Sequence, residues 1–172
     1  RPLRRSDLPF MISHNALLLL LLAFVMTLGS TACRREAPVV QQTYPQATFI
    51  SRDGEVDGRK FRYRAYIPSD SKPAERQPVM LYLHGAGNRG DDNESQLNGL
   101  AEVIQQNHEE FNFIVVIPQL PVDRFWDDQM INQAVKALDD TVTEFNGDCE
   151  RLYVAGFSLG GFGVWNTAAM YP

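Results

Sequence analysis

From residue 48 onward the chain alternates between short apolar runs and longer stripes of apolar residues at helical spacing. Residues 79–83 (VMLYL) and 113–117 (FIVVI) are unbroken apolar runs, the pattern of strands covered on both faces of a parallel sheet. Between them, Leu97, Leu100, Ala101 and Ile104 fall on one face of a helix. Ile131, Ala134, Val135, Leu138, Val142 and Phe145 make a longer stripe, opened by Asp127 or Asp128 as N-cap and closed by Asn146-Gly147. Residues 152–155 (LYVA) read as a third strand and 159–170 as a further helix. Ahead of these, residues 48–50 and 60–67 predict a hairpin, with Asp53-Gly54 and Asp57-Gly58 supplying turn residues. Strand–helix–strand–helix–strand with short links predicts an α/β domain over residues 48–172. Its sheet is expected to be mostly parallel, with helices on both faces. Ligand sites in such sheets lie at the carboxyl ends of the strands, which directs attention to the loops just after Leu83, Ile117 and Ala155.

The first 47 residues have a different pattern. Residues 16–28 (ALLLLLLAFVMTL) are apolar apart from Thr27, shorter than the ~20 residues that span a bilayer and matched to the core of a secretory signal. Arg1, Arg4 and Arg5 precede this block; Gly29-Ser30-Thr31-Ala32 and then Cys33 come after it. Residues 1–32 are therefore expected to be a signal peptide. Its expected end is lipidation of Cys33 as the mature N-terminus, since a small residue precedes a cysteine right after the apolar block, although Ser30 stands where such signals usually carry leucine; plain cleavage after Ala32 is the alternative. Residues 33–47, with two prolines and no apolar period, read as a tether. These features imply partners at the membrane, through a lipid or the signal itself, and an exported or envelope location. If Cys33 carries lipid, the two cysteines of the chain leave no pair for a disulfide, and Cys149 reads as a small buried or loop residue.

A net charge of −5 and the lack of any Lys/Arg cluster interleaved with aromatics exclude nucleic acid as a partner. Asp91, Asp92 and Glu94 are close in sequence but lack ligand spacing, so no metal is expected and the cluster reads as a solvated loop with a helix cap. His108, beside Glu109 and Glu110, reads as surface. Trp126 either lines a substrate pocket or packs at the sheet edge.

The third strand runs into Gly156-Phe157-Ser158-Leu159-Gly160, and a helix leaves it. A serine on so tight a strand-to-helix turn needs small neighbours, which Gly156 and Gly160 provide, with Gly161 giving further room. The turn exposes the Ser158 hydroxyl and aims helix N-terminal N–H groups at a reacting carbonyl. The first parallel strand runs into His84-Gly85-Ala86-Gly87, where a second set of backbone donors can face the same carbonyl. Ala86 and Leu159 N–H are the expected oxyanion donors, with Gly87 the alternative to Ala86. His84, Gly85, Gly87, Gly156 and Gly160 are expected to be structural at the site. His84 reads as a brace for its loop rather than as a base.

The segments LYLHGAGNRGDDN (81–93), VVIPQLP (115–121) with Trp126 beyond, and RLYVAGFSLGGFGVWNTAAMYP (151–172) resemble a bacterial esterase group. That group is related to phospholipase/carboxylesterases, polyhydroxybutyrate depolymerases and feruloyl esterases, and is often called predicted peptidases. Leu159 departs from its usual methionine, and Cys149 lies where a proline often precedes the strand. The resemblance implies an α/β-hydrolase fold and a small-molecule or polymeric ester substrate, hydrolysed without metal or cofactor through a serine acyl-enzyme. Ser158 needs a base held by a carboxylate, and the histidines His14, His84 and His108 all precede it. The triad acid and histidine are thus expected outside these residues, the chain being a C-terminally truncated N-terminal part of the enzyme. The alternatives are a serine peptidase of prolyl-oligopeptidase type and a non-catalytic envelope lipoprotein.

Overall fold

The computed structural model describes residues 48–69 and 75–172. The signal, the tether and the Cys33 lipidation site lie outside the described residues. Five strands form one sheet in the order β1-β2-β4-β3-β5: β1 (Thr48–Val56), β2 (Arg59–Ile67), β3 (Gln77–Leu83), β4 (Ile114–Pro118) and β5 (Gly147–Gly156). The helices are α1 (Leu100–Gln106), α2 (Asp128–Glu144) and α3 (Leu159–Met170). β3 runs parallel to both β4 and β5, while β1, β2 and β4 pair antiparallel. The parallel strands sit where the sequence places them, and helices cover both faces.

The hairpin departs from its sequence reading. Asp57 and Gly58 take left-handed φ of 51° and 73°, the conformation that lets a two-residue turn follow the strand twist. Asp53-Gly54 is not a turn; both residues lie within β1, opposite Arg62 and Phe61. A Cβ on Gly54 would stand 2.2 Å from the Phe61 ring, so glycine here admits a cross-strand aromatic rather than a reversal of the chain.

β4 is buried along its whole length, as its apolar run requires. β3 is not. Val79, Leu81 and Leu83 are buried, whereas Met80 and Tyr82 are half-buried, because the seven-residue α1 covers only part of their face. β5 departs further: Leu152 and Tyr153 are exposed, since β5 is an edge of the five-stranded sheet. The larger core joins the inner side chains of β2, β3 and β4 to Ile131, Ala134 and Ala137 of α2. The smaller one, on the opposite face, gathers Tyr66, Val115 and Ile117 around Ile104. Asp127 is the N-cap of α2, its Oδ1 accepting the Met130 N–H at 3.0 Å. Cys149 is disulfide-bonded, which corrects its reading as a simple buried or loop residue; among the described residues no thiol is free. No helix among the described residues is long and apolar enough to cross a membrane.

Candidate active site

β5 ends at Gly156 and α3 begins at Leu159, which leaves Ser158 as the corner of the turn. Its φ of 51° and ψ of −114° lie in territory that costs a non-glycine residue ~1–3 kcal/mol. The surroundings hold it there. Phe157 N–H donates to the Leu83 carbonyl (3.2 Å), Gly160 N–H to the Phe157 carbonyl (2.8 Å) and Gly161 N–H to the Ser158 carbonyl (2.9 Å). Ser158 itself is exposed.

The glycines of the corner serve different ends. A Cβ on Gly160 would lie 1.7 Å from the Leu83 carbonyl oxygen, and one on Gly156 would lie 2.4 Å from the Gly160 carbonyl oxygen. A side chain at Gly160 would force the elbow away from β3, and one at Gly156 would push β5 and the start of α3 apart. Gly161, by contrast, faces open space and is not needed for room, contrary to its sequence reading. Gly163 carries a requirement that the sequence pattern does not reveal: a Cβ there would stand 2.8 Å from both Leu83 and Trp126.

The loop after β3 packs against this corner. A Cβ built on Gly85 would be 3.4 Å from Phe157 and 3.6 Å from the Ser158 Cβ. Gly85 is buried, and its carbonyl accepts the Asn88 N–H (3.1 Å) and faces His84 Nδ1 (2.8 Å). His84 Nε2 accepts the Leu120 N–H at 3.0 Å, which leaves Nδ1 as the protonated nitrogen and the donor to Gly85. Because the peptide unit is planar and trans, fixing the Gly85 carbonyl turns the Ala86 N–H the opposite way. His84 is 1% exposed, and burial holds its pKa below the usual imidazole value; the Gly85 carbonyl pushes it up and the Arg89 charge pushes it down. With both nitrogens engaged, its ring ties the loop to the segment after β4. Trp126 is buried, donates its indole N–H to the His84 carbonyl (3.1 Å) and meets the His84 ring edge-on at 5.4 Å. Of its two sequence readings, packing is the one observed.

Ala86–Asn88 form a 3-10 turn, exposed at Ala86 and Gly87. Asn88 and Arg89 N–H are taken up within that turn, while the amides of Ala86, Gly87 and Leu159 enter none of these loop bonds. Sequence reasoning also missed Arg89. Its Nε donates to the Ala86 carbonyl and its Nη1 to the Arg124 carbonyl, both at 3.1 Å, with the guanidinium 5.7 Å above the Phe125 ring.

The acidic cluster beyond is spent on the loop itself. Asp92 accepts from Ser95 Oγ, the Ser95 and Glu94 N–H groups, and Gln119 Nε2, which hold its carboxyl well below the ordinary range. Among the described residues no group of three or more His, Cys, Asp or Glu side chains is placed to hold a metal. His108 is exposed, with Nδ1 3.0 Å from the Gln105 carbonyl.

No family model matches the chain. A thermostable esterase is similar in structure, with a TM-score of 0.65 and 25% identity over 72% of this chain and 38% of its own. An S-formylglutathione hydrolase from Agrobacterium tumefaciens (TM-score 0.60, 18% identity, 76% of this chain and 56% of its own) and a ferulic acid esterase (0.60, 16%, 74% and 55%) share the fold. By sequence, an uncharacterized secreted protein of Arthroderma benhamiae is 28% identical over 156 residues, which cover 85% of this chain and 16% of that protein. The chain therefore spans well under two thirds of the length of each of these proteins.

Proposed function

The chain has the α/β-hydrolase fold, and from that premise we propose that it carries the nucleophile and oxyanion hole of a serine carboxylic-ester hydrolase. The observation that carries this reading is Ser158: a strained, exposed serine at a strand-to-helix corner whose flanking glycines have no space for a Cβ. In the proposed reaction the Ser158 hydroxyl attacks the ester carbonyl and expels the alcohol, and water then releases the acid from the acyl-enzyme. Ala86 N–H and Leu159 N–H donate to the developing oxyanion, each worth on the order of 3 kcal/mol in the transition state. His84 keeps the first donor in place and takes no proton, since neither ring nitrogen is free to do so. The base and its carboxylate are proposed to come from the protein beyond this chain. The similarity to a thermostable esterase at 25% identity supports ester chemistry over the peptidase alternative. A small-molecule or polymeric ester is the proposed substrate.

We also propose that the protein is exported. The secreted relative supports this, as does the disulfide at Cys149, which calls for an oxidising compartment. Cleavage between Ala32 and Cys33 is common to both forms of the signal.

The test is covalent labelling of the full-length protein with a fluorophosphonate. Labelling should map to Ser158 and vanish in Ser158→Ala, together with p-nitrophenyl acetate turnover, while the circular dichroism spectrum stays unchanged. Undiminished turnover by Ser158→Ala would remove the serine mechanism.

A further inference from the structure

β2 pairs with β4 from Tyr63 opposite Pro118 to Tyr66 opposite Val115. Residues 59–62 therefore overhang the end of β4, tied there by the Gln119 N–H to the Arg62 carbonyl (3.1 Å). Between this arm, the segment after β4 and the start of α2 lies a cavity of about 510 Å³, within the size range of small-ligand sites.

The walls of this cleft are chemically biased. Arg59, Lys60, Arg62 and Arg124 line it against Asp53 and Asp91, a local positive excess on a chain of net charge −5. Arg124 Nη2 donates to Asp127 (2.9 Å) and Gln129 (3.2 Å), and Arg62 Nη2 donates to the Asp91 carbonyl; the Nε and Nη1 groups of each guanidinium are left for a ligand. Gln133 also lines the cleft, where its carboxamide can donate to and accept from a ligand. Cations at the rim and a carboxamide in the wall together fit a ligand bearing carboxylates and hydroxyls.

The cleft adjoins the oxyanion loop. Gly90, in its lining, is four residues from Ala86, at most ~14 Å along an extended chain. Arg89 spans the gap, with one N–H on the Ala86 carbonyl and another on that of Arg124. We propose that the cleft is a subsite for the acidic, hydroxyl-bearing part of an extended ester substrate, a chain of sugar acids being the chemical class that offers both groups. This rests on the esterase reading for its place in a reaction, but not for binding.

Two measurements on the full-length protein test it. Unesterified oligogalacturonate should bind in calorimetry, weaken as salt rises, and lose about tenfold in affinity in the exposed Arg59→Glu/Lys60→Glu double variant. In turnover, an O-acetylated oligogalacturonate should exceed its carboxyl-reduced, neutral counterpart about tenfold in kcat/KM, through KM, and the double variant should erase the difference while p-nitrophenyl acetate turnover stays at wild type. Equal binding by wild type and variant, or no binding, would overturn the subsite. Binding without any ester turnover would keep the subsite and instead remove the esterase reading.

Discussion

Gly160 and Gly161 are adjacent in sequence and opposite in consequence. At Gly160 a methyl group would meet the Leu83 carbonyl at 1.7 Å, so Gly160→Ala should displace the elbow, cost roughly 1–3 kcal/mol or more, and abolish fluorophosphonate labelling. At Gly161 the same methyl meets nothing and lies in a helix, so Gly161→Ala should stabilise by about 0.4–1 kcal/mol. Thermal unfolding of the two variants would show shifts of opposite sign. The motif predicts the first and not the second, because G-x-S-x-G names positions without saying what stands beside them. His84 is a similar case. Its identity directs attention to the loop, but its tautomer depends on Leu120, which sequence does not place beside it. Held neutral in the folded chain, it takes up a proton more readily when unfolded. Its contribution to stability is therefore complete above about pH 6.5 and declines below that, by up to ~1.4 kcal/mol per pH unit, until the lowered folded-state pKa is reached. Urea midpoints between pH 5 and 8 should show this slope in the wild type and lose it in His84→Gln.

Among the elements, those with an unambiguous apolar period were legible: β4, α2 and α3 lie where their patterns put them. The pattern could not separate two uses of Asp-Gly in one hairpin, since Gly54 answers to the Phe61 ring across the strand and Gly58 to the turn. Nor could it choose between Asp127 and Asp128 as the cap of α2. Asp127 is the residue whose carboxylate meets the Met130 N–H and the Arg124 guanidinium; burial raises its pKa, and these bonds outweigh the rise. Asp127→Ala should cost about 1 kcal/mol, while Asp128→Ala should cost much less. Chemical denaturation of each single variant would measure the difference. Because Arg124 also borders the cleft and receives Arg89 on its carbonyl, a weakened cap should lower affinity there as well.

At the scale of the molecule, sequence cannot say which strand is the edge of a sheet, so LYVA and VMLYL read alike although their exposure differs. The result is a set of exposed apolar side chains: Leu152 and Tyr153 on β5, Phe157 at the elbow, and Phe162 and Trp165 one helical turn apart on α3, the last two 76% and 80% exposed. Such exposure promotes association. Residues 37–172 expressed alone should self-associate in light scattering at micromolar concentration, and Phe162→Lys/Trp165→Lys should reduce this. A different consequence arises from the Leu83 carbonyl, which accepts the Phe157 N–H and lies against Gly160 while its own strand continues directly into the oxyanion loop. The proposed nucleophile and the proposed oxyanion donors thus share one anchor point. Displacement of β3 should therefore carry both in the same direction and change the distance between them less than the position of either. When that anchor gives way, under denaturant or heat, both halves of the site should go together, in one step rather than two.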